Sequence, residues 1–193
     1  MKLLLFLAKG VELMEASGFI DVFGWDRQYN KGKIQVVTCG LRKEIISTFN
    51  IPLKVELLLE EVRVEDFDAF AIPGGFGEYG FYEDAYSDEL LQLIVKFTEQ
   101  KKPIASVCVG ALPLAKAGVL KDRRATTYHL AGAKKQKQLE EFGCRLVADE
   151  AIVVEDNIIT SWGPSTAAEV AFRLLEILTT KEHVKETRKN MGF

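Results

Sequence analysis

Short runs of apolar residues alternate along the chain with longer segments in which apolar residues recur at helical spacing. The runs lie at residues 3–8, 34–38, 69–72, 104–107, 152–154 and 158–160. Short, mainly apolar runs of this length are typical of strands that are buried on both faces of a parallel sheet. Glu155-Asp156-Asn157 separates the last two runs with residues that favour a hairpin turn. The alternation predicts an α/β fold with a mostly parallel central sheet and helices on both faces.

The segments between the apolar runs predict the helices. Ser87 is a favourable N-cap residue, and Leu90, Ile94 and Phe97 follow it at helical spacing. Further helices are predicted at residues 130–142, 167–178 and 181–190.

The helix predicted at residues 130–142 is strongly basic. It carries Lys134, Lys135 and Lys137 within four positions. A run of charges on a helix most often faces solvent, so we interpret these lysines as a solvated face.

Length and composition limit the classes of protein to which the chain can belong. Its 193 residues contain 25 Lys and Arg against 28 Asp and Glu, a net charge of −3, and no repeat or linker divides them. We therefore expect one domain spanning residues 1–193. A mildly acidic chain lacks the basic surface of proteins that bind nucleic acid. The first apolar run has six residues before Lys9, too few for a membrane span or a signal peptide, so we expect a cytoplasmic protein with no membrane partner.

One of the three cysteines has a distinctive context. Cys108 follows a predicted strand and leads through Val109-Gly110 straight into a predicted helix, which is the arrangement of a nucleophile elbow. A helix N-terminus favours the thiolate, a strong nucleophile that also oxidises readily. A buried structural cysteine fits the same local sequence equally well. Cys39 and Cys144 lack this context and are interpreted as structural, and the cysteine spacing offers no metal clip.

Other features follow predicted strands and meet Cys108 at one edge of the sheet, where open α/β folds bind their ligands. The Gly74-Gly75 turn follows residues 69–72, and its backbone N–H groups offer hydrogen-bond donors. The N–H groups of Gly75 and Val109 are therefore candidates for an oxyanion hole, although a plain turn explains Gly74-Gly75 as well.

Carboxyl and imidazole groups are candidates for moving a proton at the thiol. Glu12 and Glu15 begin the helix after the first strand, and their spacing of three residues places both on one helix face without choosing between them. His129 follows a short strand predicted at residues 124–128 and is a candidate to orient the thiol or carry its proton. His183 lies in the polar tail and is interpreted as a surface residue.

A glycine motif suggests a nucleotide site but lacks its context. Residues 75–80 fit G-x-G-x-x-G, yet the predicted helix opens around Ser87 and no acidic residue ends a strand about 20 residues on. Phe81 stands where a P-loop requires Lys, so we expect no nucleotide cofactor. The nearby aromatic residues either roof a pocket or pack as a core or subunit contact, and they are Tyr79, Phe81, Tyr82 and Tyr86.

Taken together, five ordered motifs resemble the PfpI/ThiJ superfamily over essentially the whole chain. They are Ala8-Lys9-Gly10 with Glu15, Pro73-Gly74-Gly75, Ala105-Ser106-Val107-Cys108-Val109-Gly110, Ala125-Thr126-Thr127 and Thr160-Ser161-Trp162-Gly163-Pro164. That superfamily includes the Parkinson-associated protein deglycase, PfpI-type intracellular proteases and cyclohexyl-isocyanide hydratases.

The resemblance implies a flavodoxin-like sandwich, usually dimeric, with Cys108 at the elbow and Glu15 rather than Glu12 as its carboxylic partner. It also supports Gly75 and Val109 as the oxyanion-hole donors. The remaining pocket residues that it implies are Gly74, Tyr128 and Trp162.

The chain departs from the family pattern at four positions. Tyr128 stands where deglycase-like members have His, and His129 comes one residue later, a shift that turns a strand side chain to the opposite face. Val109 replaces the His of PfpI-type proteases, which argues against a protease. Trp162 replaces an arginine of deglycase-like members and makes the pocket wall more apolar. Glu15 stands where hydratase-like members have Asp, which argues against a direct hydratase assignment.

Two functions remain open at the level of sequence. The first is an enzyme in which Cys108 attacks a small carbonyl-type substrate, in a glyoxalase- or deglycase-like or a hydratase- or amidase-like reaction. The alternative is a non-catalytic, redox-responsive stress protein or chaperone that uses the same oxidisable cysteine. The helix-terminal cysteine and the paired oxyanion donors favour the enzyme.

Overall fold

The computed structural model describes residues 1–193. Its strands are β1 (Lys2–Phe6), β2 (Gln35–Gly40), β3 (Glu44–Ile46), β4 (Pro52–Lys54), β5 (Leu57–Leu58), β6 (Ala69–Ile72), β7 (Ile104–Ser106), β8 (Arg124–Ala125), β9 (Arg145–Leu146), β10 (Ile152–Glu155) and β11 (Ile158–Ser161). Its helices are α1 (Leu13–Tyr29), α2 (Phe81–Ala85), α3 (Asp88–Glu99), α4 (Ala111–Lys116), α5 (Lys134–Glu141), α6 (Ala167–Leu178) and α7 (Lys181–Met191). No helix combines the length and apolar character needed to cross a bilayer.

Seven strands form the central sheet in the order β10-β11-β7-β6-β1-β2-β5. Every neighbouring pair is parallel except β10 and β11, which form an antiparallel hairpin at one edge. Leu4 of β1 pairs with Val37 on one side and with Phe70 on the other. Because β7, β6 and β1 are consecutive, the loops that follow these three strands meet at one point of the sheet edge.

Two groups of helices cover this sheet. Helices α1, α6 and α7 pack on one another, and α2 to α5 form a second series of contacts. In the first group, a Cβ at Gly18 would lie 2.8 Å from the backbone and Cβ of Ala167, so the absence of a side chain lets α1 approach α6 closely. In the core, the Phe70 and Phe97 rings stack with centroids 4.8 Å apart.

A buried polar cluster ties the C-terminal helix α7 to the end of α1. The Oδ1 of the fully buried Asp26 accepts a hydrogen bond from Thr187 Oγ1 at 2.9 Å and lies 2.6 Å from His183 Nε2. Asn30 donates to the His183 carbonyl oxygen at 2.9 Å. His183, interpreted from the sequence as a surface residue, is therefore a half-buried contact of α7.

The mixed α/β architecture and the mostly parallel sheet confirm the predicted fold class, and the hairpin at 155–157 is present. Two boundaries were wrong. The basic helix begins at Lys134 instead of 130, because Ala131 and Ala133 adopt left-handed backbone conformations that end any regular helix before them. The strand predicted at 124–128 contains only Arg124–Ala125.

Several small elements, including β9, have no counterpart in the sequence prediction. They also include the hairpin of β3 and β4, the short strand β5, and helix α2, which opens directly after the glycine motif at 75–80. The expectation that no helix opens there was therefore wrong. Helix α2 has five residues and begins with Gly80 as its left-handed N-cap.

Candidate active site

The backbone at Cys108 makes a strained, sharp turn between β7 and α4. Cys108 has a φ of 56°, in the left-handed region that residues with a side chain adopt only at a cost. A Cβ at Gly110 would lie 2.3 Å from the Ile72 carbonyl oxygen, so the small residue lets this turn rest on the end of β6. Thr127 Oγ1 donates a 2.7 Å hydrogen bond to the Cys108 carbonyl oxygen and holds the turn from the other side. The predicted nucleophile elbow is the observed geometry.

The carboxyl of Glu15 lies beside this turn. Glu15 is in the first turn of α1 and is 1% exposed. Its Oε2 accepts a 2.6 Å hydrogen bond from the Gly74 N–H, and its carboxyl lies near enough to the Cys108 thiol for that group to lower the pKa of Glu15. A Cβ at Gly74 would lie 2.9 Å from both Glu15 Oε2 and the Val109 nitrogen, so only glycine leaves room for these groups to converge.

Glu12 has a different role from Glu15. Its carboxylate accepts hydrogen bonds from the Met14 N–H at 3.3 Å and from Thr48 Oγ1 at 3.2 Å, and so caps the start of α1. The structure therefore chooses Glu15, which sequence spacing alone could not do.

The environment of Glu15 and Cys108 favours the protonated form of both groups. Burial raises the pKa of Glu15 to about 8, and the hydrogen bond from Gly74 and the contact with Cys108 only partly oppose this. Burial also raises the pKa of the Cys108 thiol, and the adjacent Glu15 charge raises it further, against the Val109 N–H. The helix N-terminus predicted a thiolate, but burial acts in the opposite direction, since α4 has only six residues and the loss of hydration disfavours the charged form.

The two predicted oxyanion-hole donors lie on the turns that follow β6 and β7. The Val109 N–H lies close enough to the Cys108 thiol to lower its pKa. The Gly75 N–H has no hydrogen-bond acceptor in the protein. The backbone hydrogen bonds on either side of it are donated by the Glu12 N–H to the Gly74 carbonyl oxygen and by the Phe76 N–H to the Gly10 carbonyl oxygen. Both N–H groups are thus available to a bound oxygen atom.

His129 is not in hydrogen-bond contact with the thiol. Its ring stacks on Trp162 with centroids 4.1 Å apart, and its Nδ1 is buried without a partner, as is the Trp162 Nε1. Tyr128 packs beside Gly163, where a Cβ would lie 3.6 Å from its ring. His129, predicted as the triad base, and Tyr128 and Trp162, predicted as pocket wall, therefore belong to an aromatic group. Thr127, which precedes them in the chain, connects this group to the Cys108 turn.

The other two cysteines have buried, unremarkable surroundings, as interpreted from the sequence. Burial raises the pKa of Cys39 far above its ordinary value and that of Cys144 to about 11. No group of His, Cys, Asp and Glu has the geometry of a metal site. A shallow groove between α3 and α4, next to Val95 and Lys116, contains no cysteine or histidine.

Sequence reasoning missed two contributors to the site. Thr127 was quoted only as part of a motif, and the hydrogen bond that it donates to the elbow spans 19 positions. The wall formed by α2 also went unpredicted: the Tyr82 ring lies against Phe81 with centroids 5.3 Å apart, and Phe81 is fully buried. The aromatic cluster was the available signal, although its spacing fits plain packing equally well.

This chain and its fold have counterparts among known proteins. A model of the DJ-1/PfpI family matches residues 1–177. Protein DJ-1alpha of Drosophila melanogaster is 31% identical over an alignment that covers 97% of this chain and 82% of that protein. A deglycase of Pyrococcus abyssi is 31% identical, with 80% of this chain and 90% of that protein covered. The crystal structure of Drosophila melanogaster DJ-1beta superimposes with a TM-score of 0.84 at 29% identity, covering 98% of this chain and 96% of that one.

Two plant relatives are much longer than this chain. Protein DJ-1 homolog B of Arabidopsis thaliana is 30% identical over 88% of this chain, but the alignment covers 36% of the plant protein. The alignment with homolog A covers 44% of that protein. The chain thus spans less than half the length of these relatives.

Proposed function

The chain belongs to the DJ-1/PfpI family, and we propose that it is a cysteine-dependent enzyme acting on a small electrophilic carbonyl compound, in a glyoxalase- or deglycase-like reaction. One observation carries the proposal: a cysteine at a left-handed elbow contacts a buried carboxyl that holds its proton at neutral pH. Two relatives are named for such activities, the deglycase of Pyrococcus abyssi and a glutathione-independent glyoxalase of Caenorhabditis elegans.

The proposed first step is addition of the thiol to the carbonyl group. The Cys108 sulfur forms a bond to the carbonyl carbon, and the π electrons move to the carbonyl oxygen. The thiol proton passes to that oxygen through the carboxyl of Glu15, so the step needs no net change in protonation. Glu15 Oε2 already accepts the Gly74 N–H, which leaves the carboxyl proton on Oε1.

The Gly75 and Val109 N–H groups would receive the carbonyl oxygen while it gains negative charge. Each is a backbone donor fixed before the substrate arrives, and donors of this kind stabilise an oxyanion without reorganising. His129 is not needed for addition, because Glu15 both accepts and returns the proton.

Turnover by the purified protein tests the proposal. We expect conversion of at least one compound in a panel of methylglyoxal, isocyanides and simple amides, with methylglyoxal the best. Cys108→Ser should reduce this activity by at least about a hundredfold, because the hydroxyl is a far weaker nucleophile. Cys144→Ser, in a cysteine outside the site, should retain it. If no compound in the panel is converted in a Cys108-dependent reaction, the proposed enzymatic function is refuted.

The second candidate is a redox-responsive protein. The same N–H donor and neutral carboxyl that surround the Cys108 sulfur are suited to hold a sulfinate made by peroxide. Mass spectrometry after mild peroxide treatment tests this function: selective oxidation of Cys108 supports it, and equal oxidation of all three cysteines contradicts it.

We also propose that the chain forms a homodimer in the cytoplasm. An apolar patch, made of Ile46, Phe49, Ile51 and Phe76, is solvent-exposed. The Phe49 and Phe76 rings lie 6.1 Å apart, and Phe76 directly follows the Gly74-Gly75 turn. Clusters of exposed apolar side chains mark interaction surfaces, so a second copy that covers this patch would also border the site.

A further inference from the structure

A half-buried cation stands over the wall of the Cys108 site. The Nζ of Lys135, in α5, lies 4.5 Å from the centroid of the Tyr82 ring. It makes no hydrogen bond and no ion pair with the rest of the protein. Its neighbours Lys134 and Lys137 are exposed, so Lys135 alone turns inward from the basic segment.

Packing connects this lysine to the elbow step by step. A Cβ at Gly75 would lie 2.6 Å from the Phe81 ring, and a Cβ at Gly77 would lie 3.2 Å from the Tyr82 ring. The wall of α2 is thus seated on the turn that carries one oxyanion donor. From the other side, Gln138 of α5 donates a 3.0 Å hydrogen bond to Tyr86 Oη and fixes α5 against this wall.

Electrostatic effects extend along the same path. Burial raises the pKa of Tyr82, and the charges of Tyr86 and Cys108 add to this, so its phenol stays neutral. Burial lowers the pKa of Lys135, whereas Glu78 and Cys108 oppose that shift. Glu78 is exposed and forms no ion pair with the lysine, so the ammonium contacts the Tyr82 ring but has no anionic partner.

The position of Lys135 in its helix is also unfavourable for stability alone. Helix α5 begins at Lys134 without a capping side chain and has no acidic residue in its first turn. Cations are disfavoured at the positive end of a helix dipole, and an unpaired, half-buried ammonium adds a desolvation cost. A conflict with local rules of this kind is expected where a residue serves binding.

We propose that Lys135 determines specificity by binding an anionic group of the substrate, so that the preferred substrates are small carbonyl compounds that also carry a carboxylate. The anion would supply the missing charged partner of the ammonium, while the carbonyl carbon meets Cys108. This inference rests on the proposed function in taking Cys108 as the reacting group.

Alkylation of Cys108 tests the inference without requiring turnover. Iodoacetate and iodoacetamide react with the same thiol and differ in one negative charge. Their two rate constants at Cys108 are measured by peptide mass spectrometry in wild type, Lys135→Met, Lys135→Arg and Lys137→Met. The ratio of the two rates cancels any effect of a substitution on ionisation of the thiol.

We expect the iodoacetate-to-iodoacetamide ratio to fall about fivefold in Lys135→Met, the effect of one unit charge several ångströms away. Lys135→Arg should restore the ratio, and Lys137→Met, which removes an exposed charge from the same helix, should leave it near the wild-type value. Circular dichroism establishes that each variant is folded.

An unchanged ratio in Lys135→Met overturns the inference, as does an equal fall in both rates, since the lysine would then act on the thiol alone. If the iodoacetate-to-iodoacetamide ratio depends on Lys135 but no panel compound is turned over, the anion-binding role of Lys135 is supported and the proposed enzymatic function is refuted. A Cys108 that reacts with neither reagent contradicts both. If the protein shows turnover, kcat/KM is also compared for methylglyoxal and for 4,5-dioxopentanoate, a 2-oxo aldehyde with a carboxylate. Lys135→Met should decrease kcat/KM more for 4,5-dioxopentanoate than for methylglyoxal.

Discussion

At the scale of single residues, Cys108 and Glu15 form a buried pair in which the protonated form of each group is favoured. Burial raises the pKa of both groups, and the Glu15 charge raises that of the Cys108 thiol further, whereas the contact with Cys108 lowers the pKa of Glu15 without cancelling the effect of burial. The resting pair is therefore neutral at pH 7. A thiol beside a carboxylic acid suits an addition in which one proton must leave sulfur and another must reach oxygen.

The raised pKa of Glu15 predicts a pH-dependent stability. In the folded chain Glu15 keeps its proton up to a pKa of about 8, whereas in the unfolded chain it loses it near 4.5. Its contribution to stability is therefore present at low pH and is lost as pH rises through this window, by about 1.4 kcal/mol per pH unit. Glu15→Gln, which still accepts the Gly74 N–H, should be more stable than wild type by up to about 3 kcal/mol at pH 7.

Urea unfolding at pH 4.5 and pH 7 measures this difference. The two proteins should have similar free energies of unfolding at pH 4.5 and should diverge at pH 7. Equal stability at both values would show that Glu15 is ionised in the folded chain.

The sequence predicted the position of Cys108 at the strand-to-helix turn but not the environment that disfavours ionisation of its thiol. The strand-to-helix context identified Cys108, and the resemblance selected Glu15. The hydrogen bond from Gly74 to Glu15 spans 59 positions, and burial of the pair depends on the assembled sheet, so neither is visible in local sequence. The contact of Lys135 with the Tyr82 ring also depends on the assembled fold, so the sequence analysis interpreted Lys135 as one of three solvated lysines.

At the scale of elements, the contact between α1 and α6 places Glu15. Gly18 is one turn beyond Glu15 in α1, and it lies where a Cβ would be 2.8 Å from Ala167. The close approach of the two helices thus sets the depth at which the carboxyl is held.

Two glycines of α1 should respond oppositely to the same substitution. Gly18→Ala should destabilise the fold by about 1–3 kcal/mol, because the added methyl group forces α6 outward. Gly24→Ala, at an exposed position with no atom within 4 Å of the new Cβ, should stabilise it by about 0.5–1 kcal/mol through helix propensity. Thermal unfolding measures the stability of each variant relative to wild type. A Gly18→Ala variant as stable as wild type would contradict the described packing.

Long, strongly patterned elements were predictable, and short ones were not. The strand at Ala69–Ile72 and the helix after Ser87 follow from apolar spacing and a capping residue, and the Ser87 side chain does accept from the Leu90 N–H at 3.3 Å. The left-handed residues Ala131 and Ala133 bear no sequence signal, since alanine favours helix.

At the scale of the whole molecule, strand order assembles the site. The thiol follows β7, the Gly74-Gly75 turn follows β6 and the Glu15 helix follows β1, and these three strands are neighbours in the sheet. Sequence reasoning placed the three features at one edge because parallel strands end together. Their adjacency required the pairing of β1 with β6 and of β6 with β7.

The proposed dimer makes a prediction at this scale. Phe49 is 65% exposed in the apolar patch and has a φ of 60°, a conformation that Asp tolerates better than Phe. Phe49→Asp should therefore yield a folded monomer, whereas Ile177→Asp, at an exposed apolar position of α6, should leave the dimer intact. Sedimentation velocity distinguishes these states, and a Phe49→Asp protein that still sediments as a dimer would place the interface elsewhere.

The pH profile of kcat/KM for methylglyoxal tests the central claim most directly, that Cys108 adds to carbonyl compounds with a protonated Glu15 as its proton carrier. Wild type should lose activity as pH rises through about 8, where Glu15 ionises. Glu15→Gln should be less active throughout and should lack this descending limb. A wild-type profile that instead rises through pH 8 would show that ionisation of the thiol, and not protonation of Glu15, controls the reaction, and would contradict the account.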